Sequence, residues 1–489
     1  MSKEAIEGLK PEVIWQRFYE ISQIPRPSKK EEKILEYLRN FAKEYSVEML
    51  EDDIHNIVMK VPATKGYENA PIVVIQGHVD MVCEKNKGTK HDFDNDPIKL
   101  VRDGEWLRAD GTTLGADNGI GVATGLAMVT DDSVTHGPLE LLFTVDEETG
   151  LTGANNLSTD ILEGKILLNC DSEEDGAFYV GCSGGQDTVG IYDIEWKDVK
   201  KDLTPYELTI SGLKGGHSGL DIANGRANAI KLLTRLLLKL TDVDYRIAEI
   251  NGGSKRNAIP REAEVILLVK EGDEAKIKKI AGEFVKETLL EFKVNDGGLK
   301  VELSKKEGSY GKAFRRKFAK KILHVLNSLP HGIMAMSPDI PGLVETSTNL
   351  ATVFTEGDKL RIGTSQRSSI ESAKLNISNI VKSTFALSGV EEILDADSYP
   401  GWQPNMNSKI LKLSKEVFKE QYGKDPEIKA IHAGLECGIL ADKYPGLDMV
   451  SLGPTIQGAH SPDERVNIKD VEKYYKLVSG ILEKIAKSN

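Results

Sequence analysis

The feature that most constrains the fold is a set of short apolar runs, each followed by residues that can bind a cation. The runs cover residues 72–75, 139–145, 166–168 and 449–452 and are almost continuously hydrophobic. Strands buried on both faces of a mostly parallel sheet have this pattern, because helices cover both faces. Ligands bind at the carboxyl ends of the strands in such sheets. The sequence therefore predicts an α/β domain with a functional site at one edge of its sheet.

Five segments rich in His, Asp and Glu supply the candidate site. They are Gly77-His78-Val79-Asp80, Gly115-Ala116-Asp117-Asn118, Asp146-Glu147-Glu148-Thr149-Gly150, Asn169-Cys170-Asp171 and Gly458-Ala459-His460-Ser461. Imidazole and carboxylate groups suit zinc, manganese or cobalt, and an open coordination position marks a catalytic ion. Two ions that share a bridging carboxylate need about five ligands. The candidate ligands are His78, Asp117, Glu148, Asp171 and His460.

Two metal ions close together can activate a water and polarise a carbonyl group, which is the chemistry of hydrolysis. Such a reaction also needs a base that is not itself a ligand, and Glu147, the neighbour of Glu148, suits this role. Asp80 lies two residues after His78 and can accept a hydrogen bond from the second imidazole nitrogen. Taken singly, each motif is also a common turn or strand end. Charges placed repeatedly behind apolar strands favour a shared site, because buried charges need partners.

Length and charge narrow the classes of protein. The 489 residues exceed what one core usually holds, so two or three domains are expected. The 63 basic and 76 acidic residues give a net charge of −13, which disfavours nucleic acid or an anionic membrane as partner. The first residues lack the apolar core of a signal peptide, and no stretch approaches the roughly 20 apolar residues of a membrane span. The sequence therefore predicts a cytoplasmic protein.

The pattern of predicted helices and strands changes twice along the chain, which predicts that one domain is inserted into another. Residues 1–185 and 387–489 hold the candidate ligands and are expected to form one discontinuous catalytic domain. Residues 186–386 alternate in strand fashion between helices and are expected to form an inserted α+β domain. The ligand His460 would then return to the first domain from the far end of the chain.

Two local patterns carry specific predictions. Ser28 and Glu31 have the spacing of a capping box, which predicts the start of a helix over residues 29–45. Residues 227–241 predict a second helix with one apolar face. That face is either the core of the inserted domain or a dimer surface, and core is the default.

The five motifs, with Ser211 to Gly219 and His432 to Gly438, resemble the M20 family of co-catalytic zinc peptidases and, within it, the bacterial Xaa-His dipeptidases. The resemblance covers almost the whole chain. It implies that His78 and Asp171 bind one ion, that Glu148 and His460 bind the other, and that Asp117 bridges them. It also implies a cis peptide bond after Asp117. Two divalent ions are expected, zinc first, with manganese or cobalt as alternatives.

The same resemblance implies roles in the inserted domain, residues 186–386, as a lid that also forms a homodimer. His217 would donate a hydrogen bond to the developing oxyanion, in its own or the partner subunit. Asn257 and Arg367 would bind the backbone or terminal carboxylate of a small peptide, since a guanidinium pairs with a carboxylate bidentately. Gly434 would approach the substrate closely.

The function implied is hydrolysis of unblocked dipeptides, including Xaa-His, with Glu147 as general base. An N-acyl amino acid deacylase or a tripeptidase could use the same two-metal site. A nucleotide-binding loop over residues 119–125 is disfavoured, because its glycine spacing is wrong and no strand precedes it. A metal-free binding protein is disfavoured because every expected ligand and the base are present.

Overall fold

The apolar runs form neighbouring strands of one sheet in the computed structural model, which describes residues 2–199 and 202–488. The chain divides into two compact units. The first unit runs to Cys182 and resumes over Trp402–Ala430 and from Leu435 onward. The second unit comprises Ser183–Gly401 and Ile431–Gly434.

The helices and strands of the described residues are numbered in chain order. The helices are α1 (Glu12–Ser22), α2 (Glu32–Glu44), α3 (Ala116–Thr130), α4 (Thr152–Asn156), α5 (Ala229–Lys239), α6 (Asp273–Phe292), α7 (Arg316–Ser328), α8 (Glu371–Leu387), α9 (Lys409–Tyr422), α10 (Glu436–Lys443) and α11 (Ile468–Lys487). Short 3₁₀ helices cover Glu4–Ile6 and Ile222–Asn224. The strands are β1 (Glu48–Glu51), β2 (Ile57–Val61), β3 (Val73–His78), β4 (Leu100–Asp103), β5 (Trp106–Ala109), β6 (Leu139–Thr144), β7 (Ile166–Asn169), β8 (Ala177–Cys182), β9 (Gly184–Asp193), β10 (Trp196–Asp198), β11 (Leu203–Ser211), β12 (Gly216–His217), β13 (Tyr245–Gly252), β14 (Ala258–Ile259), β15 (Ala263–Lys270), β16 (Lys300–Lys305), β17 (Lys312–Phe314), β18 (Gly332–Met336), β19 (Val344–Glu356), β20 (Lys359–Ser368), β21 (Glu392–Tyr399), β22 (Glu427–Ile431), β23 (Asp448–Ser451), β24 (Ile456–Gln457) and β25 (Arg465–Asn467).

The main sheet of the first unit has the strand order β1, β2, β6, β3, β7, β23, β8 and β22. Its four central strands, β6, β3, β7 and β23, are parallel to one another. Strands β1 and β2 join one side as antiparallel neighbours, and β8 is antiparallel to β23. Every residue of β3 and β6 is buried, as continuous apolar strands require. The predicted α/β class is confirmed, and the parallel part of this mixed sheet is its centre.

The second unit is built on an antiparallel sheet with the order β16, β11, β15, β13, β19, β20, β9 and β21, and β18 pairs with β19. Helix α5 begins after Asn228, whose side chain accepts a hydrogen bond from the backbone N–H of Lys231. The apolar face of α5 is at most 1% exposed and belongs to the core of the unit, so the interpretation as core is confirmed. This face comprises Ala229, Ile230, Leu233, Leu236 and Leu237.

The boundaries of the second unit differ from the predicted 186–386. It extends to Gly401 because β21 pairs with β9 along most of its length. Residues Ile431–Gly434 also join it, and the backbone N–H of Ser183 donates to the carbonyls of Ile431 and Ala433. Both additions depend on pairing between distant segments, which has no local signature in the sequence. In the described part of the chain, no helix is long and apolar enough to cross a membrane.

Candidate functional site

The first cluster of candidate ligands lies at the carboxyl end of the central strands. His78 is the last residue of β3, and Asp171 follows β7. Asp117 lies at the kinked start of α3, where the peptide bond to Asn118 is cis as expected. The Nε2 atom of His78 lies 3.0 Å from Oδ1 of Asp117 and 3.3 Å from Oδ1 of Asp171. One imidazole nitrogen therefore faces two carboxylates.

A second cluster shares Asp117 with the first. The Nε2 atom of His460 lies 3.1 Å from Oδ2 of Asp117 and 3.0 Å from Oε2 of Glu148. In each cluster the ligand atoms lie within 4.8 Å of one another. The two carboxylate oxygens of Asp117 thus face different imidazoles. This is the arrangement that a carboxylate bridging two ions requires.

The charges and unpartnered atoms of the clusters fit divalent cations. Burial alone would lower the pKa of His78, but the carboxylates of Asp171 and Asp117 outweigh it and raise that pKa. Hydrogen bonds to Asp117 and Glu148 raise the pKa of His460 to about 11. The Oε1 atom of Glu148 is buried without a hydrogen-bond partner among the described residues. Nitrogen and oxygen donors around a strongly negative centre suit zinc, manganese or cobalt.

Asp80 organises the loops that carry the clusters, and its own side chain is fully buried. Its Oδ1 atom accepts hydrogen bonds from Nδ1 of His78 at 3.2 Å and from the backbone N–H of Glu147 at 3.1 Å. Its Oδ2 atom accepts from Oγ of Ser28 at 2.8 Å and from the backbone N–H of Glu148 at 3.2 Å. Because His78 donates through Nδ1, its Nε2 lone pair points to the clusters.

The predicted capping box at Ser28 and Glu31 is wrong. Helix α2 begins at Glu32, and Glu31 is its N-cap without a side-chain hydrogen bond to the helix. The carboxylate of Glu31 instead accepts hydrogen bonds from the backbone N–H groups of Lys29 at 2.9 Å and Asp146 at 3.1 Å. Ser28 donates to Asp80. Both side chains therefore support the candidate site. They bond to its loops rather than to the helix, because buried polar groups need hydrogen-bond partners.

Glu147, the predicted base, lies beside both clusters. Its carboxylate lies within 4.8 Å of the ligand atoms of His78 and Glu148. Burial raises its pKa well above the usual range, and the neighbouring charges of Asp171 and Glu436 add to this effect. A carboxylate with a raised proton affinity, next to the clusters, can accept a proton from a water held there.

Glu464 was not predicted, although it holds the Asp117 segment in place. Glu464 is 2% exposed. Its Oε2 atom accepts backbone hydrogen bonds from Leu114 at 2.7 Å and Gly115 at 3.0 Å. Its Oε1 atom accepts from Ala116 at 2.8 Å and Asp117 at 3.3 Å. The only signal in the sequence is its position four residues after His460, which by itself indicates nothing about this contact.

Arg26 and Glu436 also support the site and were not predicted. Arg26 donates through Nη1 to the carbonyls of Val79 at 2.9 Å and Asp80 at 2.7 Å, and through Nη2 to that of Gly115. Glu436 is fully buried at the start of α10 and accepts hydrogen bonds from Gln76 at 2.6 Å and Thr144 at 2.8 Å. These contacts tie the loops after β3 and β5, and strands β3 and β6, to fixed positions.

In the second unit, the backbone selects one tautomer of His217. The Nδ1 atom of His217 accepts hydrogen bonds from the backbone N–H groups of Gly219 at 3.2 Å and Leu220 at 3.1 Å. Burial and the nearby charge of Arg367 lower the pKa of His217 to about 4. The imidazole is therefore neutral at pH 7 and carries its proton on Nε2. A neutral Nε2–H group is a hydrogen-bond donor, as the predicted role requires.

Asn257 and Arg367 line one cavity of about 570 Å³ in the second unit. Asn257 also lines a neighbouring cavity of about 440 Å³ that includes His217. Arg367 is 6% exposed, and the carboxylates of Asp187 and Asp397, which line the same cavity, form ion pairs with Arg256 and not with Arg367. Gly434 lies against the ring of Tyr399, and a Cβ atom there would lie 3.0 Å from Cε2 of that ring.

Comparison with known proteins agrees with this fold. Residues 74–484 match Peptidase family M20/M25/M40. The cytosol non-specific dipeptidase of Escherichia coli strain K12 is 41% identical over 484 residues, which is 98% of this chain and 99% of that protein. The crystal structure of aminoacylhistidine dipeptidase from Vibrio alginolyticus has a TM-score of 0.89 and 40% identity, covering 98% of this chain and 97% of that one.

A more distant structure shares the fold alone. Aminopeptidase PepT from Bacillus cereus has a TM-score of 0.58 and 18% identity, covering 98% of this chain and 100% of that one. The family match and the two relatives of 41% and 40% identity place the protein among the peptide hydrolases. The chain belongs to peptidase family M20/M25/M40.

Replacement of Glu464 tests the support of Asp117. In the Glu464→Gln variant an amide group would face two backbone N–H donors, and each buried group left unpaired costs about 1–3 kcal/mol. We expect Asp117 to lose its position and the affinity for Zn²⁺ or Mn²⁺ to fall roughly 10–100-fold, as for other residues that orient ligands. Titration calorimetry of metal-free protein measures this affinity. Glu105→Gln, which removes only an exposed ion pair with Lys469, is the matched control; equal affinities in both variants would contradict the assignment.

The buried histidines of the second unit predict a loss of stability in mild acid. Burial and the charge of Arg367 lower the pKa of His432 to about 3, whereas an unfolded histidine titrates near about 6.5. As the pH falls below that unfolded value, the unfolded chain binds more protons, so the free energy of unfolding decreases. We expect a smaller decrease between pH 7 and pH 5 in His432→Gln than in the wild type, measured by urea unfolding. His324→Gln, at an exposed position on α7, is the control; an unchanged slope in His432→Gln would contradict the expectation.

Proposed function

We propose that the protein is a two-metal dipeptidase that hydrolyses unblocked dipeptides, Xaa-His among them. The observation that carries this proposal is the position of Asp117, whose two oxygens face the imidazoles of His78 and His460 at 3.0 and 3.1 Å. The names of two relatives, a non-specific dipeptidase and an aminoacylhistidine dipeptidase, support the substrate class.

The proposed metal ligands divide as the two clusters do. His78 and Asp171 would hold one ion, Glu148 and His460 the other, and Asp117 would bridge them. Zinc is proposed first, and manganese and cobalt accept the same donors. When bound, the ions supply a water of lowered pKa and polarise the carbonyl of the substrate.

Glu147 and Asp80 have different proposed roles in the reaction. Glu147 would take a proton from the attacking water as the water oxygen bonds to the carbonyl carbon of the substrate. It would then pass this proton to the nitrogen of the leaving amine as the C–N bond of the peptide breaks. Asp80 would keep His78 in the tautomer whose Nε2 lone pair faces the clusters, because it accepts the Nδ1–H bond at 3.2 Å. A base outside the ligand set is needed, since a bound carboxylate cannot carry the proton.

The second unit carries the side chains proposed to recognise the peptide. His217 would donate its Nε2–H to the oxyanion that forms at the scissile carbonyl. Arg367 and Asn257 would bind the carboxylate and backbone of the substrate, because a buried guanidinium without an acidic partner attracts an anion. Gly434, at the edge of the same unit, would allow a close approach. In this proposal the first unit is the catalytic domain and the second unit is the lid.

A deacylase acting on N-acyl amino acids, or a tripeptidase, remains the alternative for the same metal site. Both share the free carboxylate that Arg367 would bind. An N-acyl amino acid differs from a dipeptide at the other end, where the dipeptide has a free amine, so the comparison of alanyl-histidine with N-acetyl-histidine separates the deacylase from the dipeptidase. A tripeptide also has a free amine and differs in length, so the tripeptidase is separated by comparing alanyl-histidine with a tripeptide.

Activity on alanyl-histidine tests the proposed function. We expect the protein loaded with Zn²⁺ or Mn²⁺ to release free histidine, and a chelator to abolish the release. Glu147→Gln should reduce the rate by about 10²–10⁴-fold, the usual contribution of a general base, while it keeps its metal. Glu163→Gln, which loses only an ion pair between Lys60 and a largely exposed carboxylate, should match the wild type. Faster hydrolysis of N-acetyl-histidine than of alanyl-histidine would refute the dipeptidase in favour of the deacylase.

We also propose a cytoplasmic location and a homodimer formed through the second unit. Strand β18 pairs with β19 and exposes the apolar side chains of Ile333, Met334 and Met336, which are 40–47% accessible. Apolar side chains concentrated on one exposed strand fit contact with a second copy.

Light scattering tests the dimer. We expect the mass of a dimer for the wild type and of a monomer for a variant that combines Ile333→Lys with Met336→Lys, because charges would be buried in the contact. Met406→Lys changes a methionine of the first unit that is 40% exposed, and it should remain a dimer. A monomeric wild type, or a double variant that stays dimeric, would reject this surface.

A further inference from the structure

Three residues of the second unit lie in one row across neighbouring strands. In the pairing of β20 with β9, Arg367 lies opposite Gly185. In the pairing of β21 with β9, Tyr399 lies opposite the same glycine. Adjacent strands are about 4.8 Å apart, so Arg367 and Tyr399 are separated by two strand spacings. Their side chains can meet only by passing over the middle residue.

Gly185 permits this contact because it has no side chain. A Cβ atom at Gly185 would lie 2.5 Å from Cε1 of Tyr399 and 2.7 Å from its hydroxyl oxygen. Gly434 faces the other edge of the ring, where a Cβ atom would lie 3.0 Å from Cε2. The ring therefore occupies the space that side chains at both positions would fill.

The backbone of Tyr399 is also fixed, by strand pairing and by a hydrogen bond to its carbonyl group. The pairing of β21 with β9 shifts register between Ala396 and Tyr399, which brings Tyr399 opposite Gly185. The Nζ atom of Lys374 donates to the carbonyl of Tyr399 at 2.8 Å and also forms an ion pair with Glu371 at 2.9 Å. The Lys374 side chain is only 2% exposed, and a buried ammonium group needs such partners.

The hydroxyl group of Tyr399 contacts the Arg367 guanidinium. Nη1 of Arg367 donates to this hydroxyl at 2.8 Å, and Nε donates to Oγ of Ser218 at 3.4 Å. Both acceptors are uncharged. They orient the guanidinium plane without neutralising it, whereas a carboxylate partner would cancel its charge. Two of the five N–H groups of the guanidinium are used in this way.

We propose that Tyr399 is a positioning residue for substrate recognition. Its hydroxyl, placed by Gly185, Gly434 and Lys374, fixes the guanidinium of Arg367 so that the remaining N–H groups bind the terminal carboxylate of the substrate. This assignment rests on the proposed function, in which Arg367 binds that carboxylate. Orientation matters here because a bidentate pair with a carboxylate requires the two planes to align.

Kinetics of Tyr399→Phe test the assignment. The variant keeps the ring and loses only the oxygen, so we expect KM for alanyl-histidine to rise about tenfold or more, as for a lost hydrogen bond to a charged group. We expect kcat to change less than about threefold, because the carboxylate is bound in both ground and transition states. With alanyl-histidine amide, which has no carboxylate, variant and wild type should have the same KM. Tyr192→Phe, whose hydroxyl contacts Ser388 in the same unit, should behave as the wild type.

Two further variants make the result specific. In an Arg367→Gln background, Tyr399→Phe should cause no further rise in KM, because the residue acts through the guanidinium. Gly185→Ala should raise KM as Tyr399→Phe does, since its Cβ would displace the ring while the hydroxyl is retained. Thermal unfolding of each variant verifies that it is folded.

The outcomes separate this inference from the proposed function. A wild-type protein that does not hydrolyse alanyl-histidine would overturn the proposed function and this assignment with it. If the wild type is active and Arg367→Gln raises KM, an unchanged KM in Tyr399→Phe overturns the positioning role alone. An equal rise in KM for the dipeptide and its amide would overturn it as well, because the effect would then not depend on the carboxylate.

Discussion

Repulsion among carboxylates at the end of the central sheet is the constraint on which the first unit depends. Asp117, Glu148 and Asp171 converge there with Glu147 beside them. Burial and the charges of Asp117 and Glu148 raise the pKa of Asp171 to about 6, although His78 opposes the shift. Such a group is stable only with compensating positive charge, which explains both the paired imidazoles and the fit to divalent cations.

The scaffold around this group acts through hydrogen bonds to the backbone. Glu464 accepts four N–H groups of the segment that ends at Asp117, and Asp80 accepts those of Glu147 and Glu148. Arg26 binds carbonyl groups of the same loops. The ligands lie on loops whose backbone groups are buried and need hydrogen-bond partners. Buried carboxylates accept from the N–H groups of these loops, and a buried guanidinium donates to their carbonyl groups. In the second unit the Arg367 guanidinium donates to hydroxyl groups rather than to carboxylates. Its neighbours His217 and His432 are neutral.

Much of the fold was predictable because its signals are local. Continuous apolar runs predicted the central strands, and the motifs after them predicted the convergence of His78, Asp117, Glu148, Asp171 and His460. The interpretation of Ser28 and Glu31 as a capping box was wrong because both side chains bond to the loops of the site instead. Glu464 and Tyr399 had no recognisable pattern, since their partners are 347 to 350 and 32 residues away along the chain.

The sequence by itself determined the α/β class, the identity of the strands that end in the site, and the donor types that restrict the choice of metal. These properties follow from hydrophobic periodicity and side-chain chemistry, which each segment carries alone. Only the tertiary structure decided that Asp117 faces two imidazoles, that backbone N–H groups leave the proton of His217 on Nε2, and that Tyr399 reaches Arg367 across Gly185. Hydrogen-bond partners depend on the register and burial of distant segments, so they exist only once those segments have packed together.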